Sequence, residues 1–70
     1  MKVEATKTYE NLKDIFVKGD ILEFITIKDD NGFYKDFLIV TEEGRSYYGS
    51  TIRNFIGYKA ADELFEKVEG

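Results

Sequence analysis

The run ILEFITIKDDNGFYKDFLIVTEEGRSYY, residues 21–48, decides the fold. ILEFITIK (21–28) and FYKDFLIVT (33–41) are rich in β-branched and aromatic residues, as strands require. Asp30-Asn31-Gly32 between them suits a three-residue hairpin loop with glycine at the left-handed position, and Glu42-Glu43-Gly44 repeats the design before a third strand at 45–50. Two tight hairpins in succession make an antiparallel meander. Taken literally, the loops pair Asp29 with Phe33 and Thr41 with Arg45. Phe24, Leu38 and Tyr48 then share one face with Leu22 and Val40. Ile25, Phe37 and Gly49 share the other, near Ile21, Ile27, Ile39 and Tyr47. Both faces are apolar, so something must cover each of them.

The flanking segments offer the cover. Residues 1–7 form a loose lead-in or an edge strand. Thr8 fits an N-cap, and Tyr9, Leu12, Ile15 and Phe16 are spaced as one face of a short helix. Downstream, Ile52, Ile56, Ala60, Leu64 and Val68 recur every four residues, with Phe55 and Phe65 alongside. Three forms of this segment remain open: one helix, two helices broken at Gly57, or a turn with a closing strand at 65–68. Strand bending into a small barrel is the other way to hide both faces. A chain of 60 residues buries only about 60% of its unfolded surface. Six Phe and five Tyr enlarge the core, yet one face of the sheet is expected to keep an apolar surplus. Such a surplus marks an interface.

Composition removes whole classes of chemistry. The 70 residues contain neither Cys nor His. Disulfides, thiolate metal clusters and Ser-His or Cys-His nucleophile pairs are therefore excluded. No apolar run reaches the length of a membrane span, and no signal-peptide pattern opens the chain, so a cytoplasmic protein is expected. The formal charge is −4, and all of it arises in residues 21–44. There Lys28 and Lys35 face Glu23, Asp29, Asp30, Asp36, Glu42 and Glu43, while the segments on either side balance to zero. Duplex nucleic acid is disfavoured, since its binding draws on cations that displace phosphate counterions.

The carboxylate pairs Asp29-Asp30 and Glu42-Glu43 fall in turns and lie at opposite ends of the second strand, so they share no substrate. No enzyme is expected. Asp29-Asp30-Asn31-Gly32 is not an EF-hand loop, because Ile27 and Leu38 stand at its first and last ligand positions; no metal or cofactor is expected. A protein partner is the leading expectation. It is met through Tyr34, Tyr47, Tyr48 and Tyr58 together with the acids Asp29, Asp30, Glu42 and Glu43, because tyrosine gives a large rigid contact with a polar tip. Taken singly, each tyrosine also fits a half-buried residue with its hydroxyl in water. The alternative is a binder of single-stranded nucleic acid, a nucleotide or a small anion, with Phe33 stacking and Lys35, Arg45 and Arg53 meeting phosphate. Self-association is another way to hide the second face.

Residues 18–51, above all FYKDFLIVTEEGRSYYGST, resemble short bacteriophage and mobile-element proteins in which a glycine-aspartate turn precedes a strand meander. The arrangement is also similar to small SH3-like barrels. The resemblance implies a phage-type inhibitor or adaptor of a host protein, acting in the host cytoplasm, and it carries over no functional residue. The expected fold is an α+β domain or a small SH3-like β-barrel. It comprises a three-stranded meander (about 21–28, 33–41 and 45–50) with a short N-terminal helix and a helical C-terminal segment, as one domain over 1–70.

Overall fold

A computed structural model describes residues 1–69 as an open, five-stranded antiparallel sheet with two helices near the C-terminus. The chain runs β1 (Lys2–Ala5), β2 (Ile21–Lys28), β3 (Tyr34–Val40), β4 (Ser46–Tyr48), α1 (Gly49–Ile56), α2 (Tyr58–Leu64) and β5 (Phe65–Lys67). The spatial strand order is β4-β3-β2-β1-β5. β4 and β5 occupy opposite edges, so the sheet does not close. The expected SH3-like barrel and the expected three-stranded meander with an N-terminal helix are both corrected.

The two hairpins close on their loop residues. Asp29 N–H donates to the Phe33 carbonyl at 2.8 Å, and Thr41 N–H donates to the Arg45 carbonyl at 2.8 Å. Gly32 and Gly44 carry the turns at φ 84° and 90°, a region that costs other residues energy. Asp29 Oδ1 accepts from both Asn31 N–H and Phe33 N–H, at 2.9 and 3.0 Å. The register differs further along. Lys28 pairs with Tyr34 but Ile27 pairs with Asp36, so Lys35 is the extra residue of a β-bulge. Every later β3 residue shifts by one against β2, and Phe24 meets Ile39 rather than Leu38. Since β3 and β4 keep the expected register, both strands exchange faces relative to β2. One face now carries Leu22, Phe24, Phe37, Ile39 and Tyr47; the other carries Ile21, Ile25, Ile27, Leu38, Val40 and Tyr48.

Residues 1–7 hold neither a loose lead-in nor an edge strand, because β1 lies between β2 and β5. That placement also removes the N-terminal helix. Successive neighbours β1 and β2 must be joined by a segment whose ends nearly touch: Ala5 N–H donates to the Asp20 carbonyl at 3.0 Å, and Gly19 N–H donates to the Ala5 carbonyl at 2.8 Å. Residues 6–20 meet this demand as a compact Ω-like loop of turns. Single turns run from Leu12 N–H to the Tyr9 carbonyl and from Phe16 N–H to the Leu12 carbonyl. Thr8 caps no helix; its Oγ1 accepts from Lys18 N–H at 2.9 Å. The inward spacing survives in this form, since Leu12 and Phe16 are buried.

At the C-terminal end two of the open forms occur together. Gly57, at φ 88°, separates α1 from α2, and β5 then pairs antiparallel with β1. Ile52, Ala61 and Leu64 pack with Leu12 and Phe16 on Val3, Ala5, Leu22, Phe37 and Ile39. All the cover therefore sits on one face, in a slab 35 × 29 × 20 Å.

One ion pair closes the start of the sheet. The Met1 ammonium donates to Glu23 Oε1 at 2.9 Å, which holds the Glu23 carboxyl below its ordinary pKa, with Lys2 adding to the effect. A depressed carboxylate stabilises the fold above its unfolded pKa, and that contribution disappears as pH falls through the folded value. Carboxyl NMR titration is expected to give Glu23 a midpoint below the ordinary glutamate range. Acetylating the α-amino group should return it to that range, and an unchanged midpoint would refute the pairing.

Candidate docking face

Strand alternation places the uncovered residues in rows across the sheet. Ile25, Leu38 and Tyr48 are direct cross-strand neighbours, and Val40 lies beside Glu23 and Ser46. The buried cover residues Leu12, Phe16, Ile52, Ala61 and Leu64 all pack with the opposite face. Ile25 is 44% exposed and Tyr48 55%, whereas Ile21, Ile27, Leu38 and Val40 are half-buried. The total surface shows the same shortfall of cover. A folded monomer of 8.1 kDa exposes about 4,500 Å², and this chain exposes 4990 Å².

The apolar strip spans only β2, β3 and β4. Lys2 and Glu4 of β1 and Glu66 of β5 supply charge on the same face beyond it. The strip ends at Asp29-Asp30 in one hairpin and Glu42-Glu43 in the other. Among the described residues neither Asp30 nor Glu42 has an ion-pair partner, and Glu43 meets Arg45 only at 3.9 Å.

The expected partner-binding tyrosines do not gather on one surface. Tyr48 stands on the open face, but the bulge turns Tyr47 inward, where it packs against the core. Tyr34 and Tyr58 lie on the helical side around Arg53. The Arg53 guanidinium carbon sits 5.4 Å from the Phe37 ring centroid and 5.5 Å from that of Tyr58, within cation–π range. Its Nη2 donates to the Tyr34 hydroxyl at 3.3 Å, and Nη1 pairs with Asp36 Oδ1 at 3.5 Å. The hydrogen bond to Tyr34 raises the Arg53 pKa above its ordinary value, with Asp36 and Asp62 adding to it. Both Arg53 and Asp36 side chains are 16% exposed, so this cation is already engaged. Beside it an open groove of about 450 Å³ runs between Phe24, Phe37, Phe65, Ala61 and Asp62.

The residues of the alternative reading are separated. Phe33 and Lys35 lie at one end of β3 and Arg45 beyond its other end, about 20 Å away at 3.3 Å per residue. Arg53 is held by Asp36. Among the described residues no three acidic side chains converge as a metal site, and no helix is long and apolar enough to cross a membrane. The aliphatic residues Ile21, Ile25, Ile27, Leu38 and Val40 were not among the binding residues expected from the sequence. Their signal is the alternation within ILEFITIK and FLIV.

The chain matches no family model, no curated protein and no solved structure. With the barrel overturned and no relative behind the phage resemblance, the phage-type inhibitor reading has no support and is set aside.

Proposed function

We propose that this chain is a non-enzymatic, cytoplasmic protein-binding module that docks a protein on the uncovered face of its sheet. The observation that carries the reading is the row Ile25–Leu38–Tyr48, which crosses three strands on the face away from the core and is exposed at both ends. A sheet that is apolar on both faces and covered on one has a second layer to acquire, and contiguous exposed apolar area is where partners bind. The distance between the carboxylate pairs, each in its own hairpin, supports the absence of an acid–base site.

The test uses the wild type and Ile25→Glu/Tyr48→Glu as baits, followed by calorimetric titration of any purified protein that only the wild type retains. Both positions are exposed, so each change should shift stability by about 0.5–1 kcal/mol at most, while binding is lost. Equal affinity of the folded double variant for that protein would refute the reading. Labelled single-stranded oligonucleotide at low salt serves as the competing arm. Tight, salt-steep binding there would place function with the cations instead.

A further inference from the structure

We draw no further inference here: the strongest candidate, the open groove between α2 and the Phe24–Phe37–Phe65 ring cluster on the helical side of the sheet, carries both an acid, Asp62, and a base, Lys67, in its apolar lining, and nothing in the structure shows what covers it.

Discussion

Phe37→Ala is expected to lower the thermal midpoint by at least about 12 °C, taking a loss of about 3–5 kcal/mol at about 4 °C or more per kcal/mol. This side chain joins the sheet to both the C-terminal segment and α1. Phe37 is buried, stacks on Phe24 with ring centroids 4.7 Å apart and meets the edge of Phe65 at 6.0 Å. It also lies beneath the Arg53 guanidinium. Truncation leaves a cavity between the middle of the sheet and both helices, and it uncovers the half-buried Arg53–Asp36 pair. A domain of this size has about 3.5–10 kcal/mol to lose, so much of the population unfolds near body temperature. Circular dichroism melts decide the matter. A fall of less than about 4 °C would show that the ring does not join the layers.

Gly49→Ala is expected to destabilise by about 1–3 kcal/mol, against the usual direction for glycine in a helix. Alanine ordinarily gains up to about 1 kcal/mol there. At Gly49, however, a Cβ would stand 2.5 Å from Phe37 Cε1 and 2.6 Å from Asp36 Oδ1. The carboxylate can swing aside, but the packed ring cannot, so overpacking wins. Gly49 is therefore present for space. It lets the first turn of α1 lie directly on β3, which brings Asp36 to Arg53. Urea melts of Gly49→Ala in wild type and in a Phe37→Leu background provide the check. The penalty should shrink when the ring is gone, and a stabilised single variant would refute the argument.

What could be read from the sequence follows the range of the interactions. The hairpins were legible because Asp-Asn-Gly and Glu-Glu-Gly carry their own turn geometry. So was the greasy second face, because it survives any slip of register. The bulge at Lys35 was not legible. Tyr34-Lys35-Asp36 contains no glycine, and the demand for the bulge comes from Phe37 and Ile39 having to face the same core as Phe24. That one residue also decided the fate of the tyrosines, sending Tyr47 inward and leaving Tyr48 out. The helix expected from Thr8 failed because Tyr9, Leu12, Ile15 and Phe16 point inward equally well from a series of turns. Only the pairing of β1 with β2, a non-local fact, requires those turns. The uncovered apolar face was thus readable as a property of the sheet, and its residues were not.

The position of β1 has a consequence for how the molecule is made. A ribosome delivers this strand about 60 residues before its second neighbour, β5, so until β5 emerges one row of its amides and carbonyls lacks its strand partner. Ala5 is completely buried, and its partner across that row is Phe65 of β5. The β1–β5 pairing therefore closes the longest separation in the sheet, and loop-closure entropy makes it the costliest of the strand contacts to form.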